Sequence, residues 1–169
     1  MNSGGLMSDK ALYVLAGYDE ITDMRLSNIQ NILYENGFTG THTKNIPQHI
    51  TLGSFPTEKE TELIDRLQRL SIEVPSFEIT FNHIGVFGGA RVLFVAPDSN
   101  EQLLSLKEMF GDSYNWTPHT TMLIDNPDTI YKAIPFVMEK FSAFKGRITS
   151  LHLYEFFPTR QIVSIWFKK

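Results

Sequence analysis

The chain has no cysteine, which removes disulfides, thiolate metal ligands and a cysteine nucleophile from consideration. No apolar run approaches the ~20 residues that a membrane-spanning helix needs. A surplus of positive charge is also missing: 15 Lys and Arg against 19 Asp and Glu leave a net charge of −4. There is thus no global basic field to hold long nucleic acid by its phosphates, and no stable nucleic-acid complex is expected. A glycine-rich phosphate loop is absent too, because Gly88-Gly89 lacks the lysine and the spacing of one. Residues Met1 to Lys10 are polar around Gly4-Gly5 and carry no secretion-signal core. They read as a tail (1–10) ahead of a single domain (11–169). A cytoplasmic monomer with no membrane association is the expectation from these absences.

What is present fits an ordinary globular chain of 169 residues, 42% hydrophobic and 20% charged. That length allows one domain or two small lobes sharing a core. Ala11 to Gly17 reads as a buried strand. Ile21, Met24, Leu26, Ile29, Leu33 and Tyr34 then follow helical spacing up to a stop at Gly37. A polar loop, Thr39 to Pro47, leads into a second strand. Thr57 and Glu60 have capping-box spacing for a helix running to about Leu70. Phe77 to Phe87 alternates as a strand, with Phe77, Ile79, Phe81 and His83 on one face, and Gly88-Gly89 turns it into Arg91 to Ala96. A helix from about Asn100 to Phe110 follows, then a loop with Tyr114 and Trp116, another strand, and a helix opened by Asn126-Pro127. Arg147 to Phe157 and Gln161 to Phe167 close the chain as a strand pair. Each half therefore repeats strand, helix, loop, strand, helix. The expected fold is α+β: two similar lobes with antiparallel sheets flanked by helices, related by a pseudo-two-fold axis around a central cleft.

The chemistry lies at corresponding points of the two halves. Gln48-His49-Ile50-Thr51-Leu52 and Pro118-His119-Thr120-Thr121-Met122 both contain His-x-Thr. Side chains two apart on a strand share a face, so each segment aims one imidazole and one hydroxyl into the same space. Imidazole titrates near neutrality, so one of a facing pair can take a proton from water while the other gives one to a leaving oxygen. Threonine hydroxyls can hydrogen-bond the nonbridging oxygens as charge builds on phosphorus. This is equipment for cutting or forming a phosphodiester.

The segments HITLGSF (49–55), PHTTMLI (118–124) and RVLFVAPDSNEQLLSL (91–106), with YVLAGYD (13–19), resemble the 2H phosphoesterase superfamily. Within it the chain is similar to the branch of 2′-5′ RNA ligase-like proteins and cyclic nucleotide phosphodiesterases. Met122 stands where that family often has leucine, a change of packing rather than chemistry. The resemblance implies a two-lobed fold and metal-independent chemistry, with His49 and His119 as acid/base pair and Thr51 and Thr121 contacting phosphate. The expected substrate is a 2′,3′-cyclic phosphate on a small nucleotide or RNA end, with no cofactor and no metal. Alternatives are RNA 2′-5′ ligation, cleavage of 2′-5′ oligoadenylate, and a noncatalytic module that binds phosphorylated ligands.

Other residues are secondary candidates. Phe55, just beyond the first motif, and Tyr18, Trp116 and Phe157 can stack on a base if they reach the cleft. Arg91 and Arg160 are candidate phosphate contacts. His42 is expected to be exposed in its polar loop, and His83 and His152 to be structural strand histidines.

Overall fold

The computed structural model describes residues 10–169, so the expected tail lies, apart from Lys10, outside the described residues. The first half comprises β1 (Ala11–Tyr18), α1 (Glu20–Glu35), β2 (His49–Phe55), α2 (Glu60–Glu73) and β3 (Phe77–Phe87). The second comprises β4 (Val92–Pro97), α3 (Glu101–Glu108), β5 (Thr120–Ile124), α4 (Pro127–Lys140) and β6 (Phe144–Phe156), with β7 (Arg160–Trp166) appended. The fold is α+β and every strand pairing is antiparallel.

The strand order is β2-β1-β6-β3-β4-β5, with β7 on the free edge of β6. Exchanging the two halves leaves this order unchanged, so the repeat read in the sequence is a real two-fold relation. The third strand of each half pairs with the first strand of the other: β3 with β4, and β6 with β1. The two lobes are thereby joined into one sheet through β3 and β6. The outermost strands, β2 and β5, nevertheless touch each other, so the sheet folds over on itself.

The symmetry extends to the irregularities. Leu15 faces Thr51 and Val14 faces Gly53, which leaves Leu52 as an extra residue in β2. Phe94 faces Thr121 and Leu93 faces Leu123, which leaves Met122 extra at the equivalent place in β5. Each bulge directly follows a His-x-Thr, a position where an extra residue can re-aim the side chains beside it. A second matched pair of bulges lies in the third strands, at Asn82 in β3 and Thr149 in β6.

The bulge at Asn82 overturns one expectation. His83 does not share the buried face of Phe77, Ile79 and Phe81, because the extra residue reverses the alternation. Its exposed ring instead stands 3.7 Å from Asp98. Two further readings need correction. In α1 the buried stripe is Thr22, Leu26, Ile29 and Leu33, while Ile21 and Met24 are exposed. They lie off the stripe because Thr22 turns inward, its hydroxyl accepting from the Arg147 backbone N–H at 3.0 Å. Thr57 does not form a capping box: Thr57–Lys59 is a 3₁₀ turn, and α2 begins only at Glu60. The other helix starts are as read, with Asn100 and Asn126 each accepting a first-turn N–H, a contact that contributes about 1 kcal/mol.

One cluster of buried apolar side chains spans both halves, from Leu12, Val14, Ile50 and Leu52 to Leu93, Val95, Met122 and Leu123. Among the described residues no helix is long and apolar enough to cross a membrane.

Candidate active site

The two His-x-Thr segments meet directly. The Thr120 hydroxyl donates to the carbonyl oxygen of His49 at 3.0 Å. A second bridge runs through α1. Gln30 Nε2 donates to the Met122 carbonyl at 3.1 Å, and Gln30 Oε1 accepts from Gln48 Nε2 at 2.8 Å. Trp116 Nε1 donates to the Thr51 carbonyl at 3.2 Å. These contacts bring together strands that the sheet order places at opposite ends. His49, Thr51 and Thr121 line one cleft of about 240 Å³. His119 precedes β5 by one residue and, by strand alternation, shares a side with Thr121.

Both imidazoles are anchored alike. His49 Nδ1 is 2.8 Å from the carbonyl oxygen of Pro47, and His119 Nδ1 is 2.9 Å from that of Thr117. A carbonyl can only accept, so in each ring the proton sits on Nδ1 and Nε2 carries the lone pair. Among the described residues neither Nε2 has a protein hydrogen-bond partner. Each ring therefore presents the nitrogen that can take up a proton and, once protonated, release it.

Burial holds both imidazoles below their ordinary pKa. For His49 desolvation dominates; the Pro47 carbonyl pulls the other way, the His119 charge lowers it further, and Asp23 opposes. Desolvation also leads for His119, against the Thr117 carbonyl. That the charge of His119 acts on His49 follows from the closeness of the two motifs.

The surroundings of the two rings differ. His119 meets the ring of Phe87 edge-on at 4.7 Å and that of Phe94 at 5.3 Å. By the strand registers, Tyr154 and Leu15 occupy the corresponding places in the first half, and His152 stands where the second half has Gly85. His152 is buried, with Ser150 Oγ at 2.9 Å and Ser164 Oγ at 2.6 Å. Burial, reinforced by the charge of His49, holds its pKa down to about 4. It is a satisfied structural histidine, as expected.

His42 is the residue sequence reasoning misplaced. It is half-buried and lines the cleft. Its Nε2 lies 2.7 Å from Tyr34 Oη and 3.2 Å from Gln30 Nε2. Burial, with the Lys44 charge, holds its pKa down to about 4. Helical spacing places Gln30 and Tyr34 on one side of α1, and that was the available signal.

Phe55 does not line the cleft. It sits six strand residues, about 20 Å, beyond His49, and its ring folds over Gly53 toward Phe110. Tyr18 is buried, with its hydroxyl 2.6 Å from Thr120 Oγ1. Of the aromatic candidates, Phe157 does line the cleft, 60% exposed. Arg160 is held by Glu60 and Glu155, and Arg91 is a turn residue in left-handed geometry (φ 58°). Neither lines the cleft.

Comparison with known proteins agrees with this fold. The chain aligns with LigT of E. coli, solved with ATP, at a TM-score of 0.63 and 18% identity, covering 95% of this chain and 98% of that one. LigT solved with 3′-AMP gives 0.61 and 16%, covering 95% and 99%. TT0787 of Thermus thermophilus gives 0.62 and 13%, covering 94% and 98%. Identities this low establish a shared fold. A search of curated proteins finds no match. The profile of the 2′-5′ RNA ligase superfamily matches residues 19–156, which is most of the chain. With the resemblance in sequence, the doubled topology and the profile in agreement, the chain belongs to the 2′-5′ RNA ligase superfamily of 2H phosphoesterases.

Proposed function

We propose that the chain is a phosphodiesterase that opens a 2′,3′-cyclic phosphate on a small nucleotide or RNA end. The observation that carries this reading is the matched anchoring of His49 and His119. Each ring is locked through Nδ1 to a carbonyl of its own segment and keeps Nε2 free. A pair of such nitrogens supplies both the proton acceptor and the proton donor that the hydrolysis requires.

One neutral imidazole takes a proton from water as the water oxygen bonds to phosphorus. The other, protonated, gives its proton to the ribose oxygen as the P–O bond breaks, leaving a phosphomonoester and a free hydroxyl. The Thr51 and Thr121 hydroxyls donate to the nonbridging oxygens, whose negative charge grows in the transition state. The ligand's own charge favours protonation of one ring, offsetting the desolvation that disfavours the charged form of both. Phe157 offers a face on which a base can stack, a contact that contributes about 1–3 kcal/mol. LigT, which shares this fold, has been solved in complex with 3′-AMP, a ligand of the size proposed here.

The test is incubation with 2′,3′-cyclic nucleotides and 2′-5′-linked oligonucleotides, with and without chelator, and with products resolved by chromatography. Ring opening of the cyclic phosphate that is unaffected by chelator is expected. Turnover abolished by chelator and restored by a divalent cation would sink the paired-histidine scheme.

A further inference from the structure

We propose that Thr120, the middle residue of the second His-x-Thr, is a positioning residue which, with Tyr18 behind it, sets the spacing of the two histidines. The inference rests on the reading of His49 and His119 as the acid/base pair. It goes beyond that reading by assigning work to two residues that touch neither water nor phosphate in it.

The direction of the hydrogen bonds can be derived. A threonine hydroxyl has one proton, and Thr120 spends it on the His49 carbonyl. The contact between Tyr18 and Thr120, 2.6 Å long, must therefore be donated by the tyrosine. Burial raises the Tyr18 pKa, so that proton stays in place at any working pH. The result is a directed chain, Tyr18 to Thr120 to His49, that links β1, β5 and β2. Thr120 is 1% exposed, so no solvent competes for these bonds.

The chain is one-sided. By register, Ala16 faces Ile50 as Val95 faces Thr120, so Ile50 is the two-fold counterpart of Thr120. The counterpart of Tyr18 is Pro97. Neither has a hydroxyl, so nothing equivalent reaches back from the first motif to the His119 carbonyl. The bond that joins the motifs is thus made by a departure from the two-fold pattern. Thr120 lies between His119 and Thr121, and its acceptor is the backbone of His49 itself. The bond therefore fixes the distance between the residues that carry the two imidazoles.

Thr120→Val keeps the side-chain shape and removes the proton; Thr120→Ser restores it; Tyr18→Phe removes the supporting donor. In hydrolysis of adenosine 2′,3′-cyclic phosphate, Thr120→Val should lower kcat by about 10- to 100-fold, the scale of a misplacement near 1 Å. KM should stay within about twofold, because the ligand-contacting groups remain. Thr120→Ser should recover most of kcat, and Tyr18→Phe should fall between. A second readout does not depend on turnover. The ring signals of His49 and His119 in a proton–carbon NMR spectrum should shift or broaden in Thr120→Val and return in Thr120→Ser, with His83 as the unmoved reference. His49 and His119 signals unchanged in Thr120→Val would overturn the proposal. If the unaltered chain opens no cyclic phosphate, the functional reading fails, while the NMR comparison still decides whether Thr120 positions the two rings.

Discussion

The two halves share strand order, bulges and histidine anchors, yet they surround their imidazoles with different chemistry. Around His49 the neighbours are ionisable or polar: Asp23 and His119 act on it by charge, and it acts in turn on buried His152. Around His119 they are aromatic, with Phe87 and Phe94 against the ring. Room is made differently too. A Cβ on Gly17 would collide with His152 Nε2, whereas one on Gly85 would collide with Phe94 Cζ. A duplicated scaffold thus places two like groups symmetrically, and the residues packed behind them make the groups unlike. In the proposed reaction, these unlike surroundings favour a division of acid and base roles between the two rings.

Removing either ring should have the largest effect. His49→Ala and His119→Ala should each cost roughly 10²–10⁴-fold in kcat, the range for losing a general acid or base. Thermal melting should show that both variants remain folded. The comparison sharpens if the variants lose opposite limbs of the pH–rate profile. It breaks if either variant keeps full activity on a verified substrate.

The next effect is on packing. Gly85→Ala pushes a methyl into the Phe94 ring, which is packed against Phe87 and His119. Overpacking of this kind costs about 1–3 kcal/mol, measurable by urea denaturation. Gly17→Ala should cost a similar amount through His152 and Ser150. An unchanged midpoint in either variant would show that its half is more loosely packed than described.

Acid should destabilise the fold. His42 and His152 have folded pKa values of about 4 against an unfolded value near 6.5. The unfolded chain therefore binds protons first as pH falls, and stability is lost across the window from 6.5 down to 4. The slope should reach at most about 1.4 kcal/mol per pH unit for each histidine. Removing His152 should flatten it. A denaturation midpoint that is constant from pH 7 to 4.5 would contradict both assignments.

The smallest effect is a shifted limb. Burial lowers the pKa of both His49 and His119, so kcat/KM, which reports the free protein, should peak on the acidic side of pH 6.5. It should fall above the peak as the acid loses its proton, and below it as the base gains one. Phe87→Leu thins the apolar cover over His119 alone, so one limb should move upward while the other stays. Both limbs moving together would mean that the rings titrate as a coupled pair.

Much of this was legible in the sequence. His49, Thr51, His119 and Thr121 stood out because strand alternation makes His-x-Thr a one-sided pattern, and the repeated order of elements implied the two-fold relation. The bulges were not legible. A single extra residue such as Leu52 or Met122 leaves no mark in an apolar run, and Asn82 reversed the facing of His83 without altering composition. Nor could the strand exchange be read, because pairing β6 with β1 depends on nothing local to either. His42 was misjudged for a related reason: its loop is polar, but Gln30 and Tyr34 on the preceding helix enclose it. Phe55 was placed by nearness in sequence, which along an extended strand amounts to distance in space.

The exchanged third strands also constrain how the protein comes into being. Ala11 pairs with Phe156, so β1 waits for a partner made roughly 140 residues later. At about 5–20 residues per second that delay is on the order of 10–30 s. During this time the β6-facing edge of the apolar strand ALYVLAGY is unpaired, a template for misassembly or a site for a chaperone. A chain cut between the halves would leave both in that condition permanently. Neither lobe is a module that evolution or an experimenter can detach, since each needs the third strand of the other, and synthesis of β6 is the event that lets β1 complete its pairing.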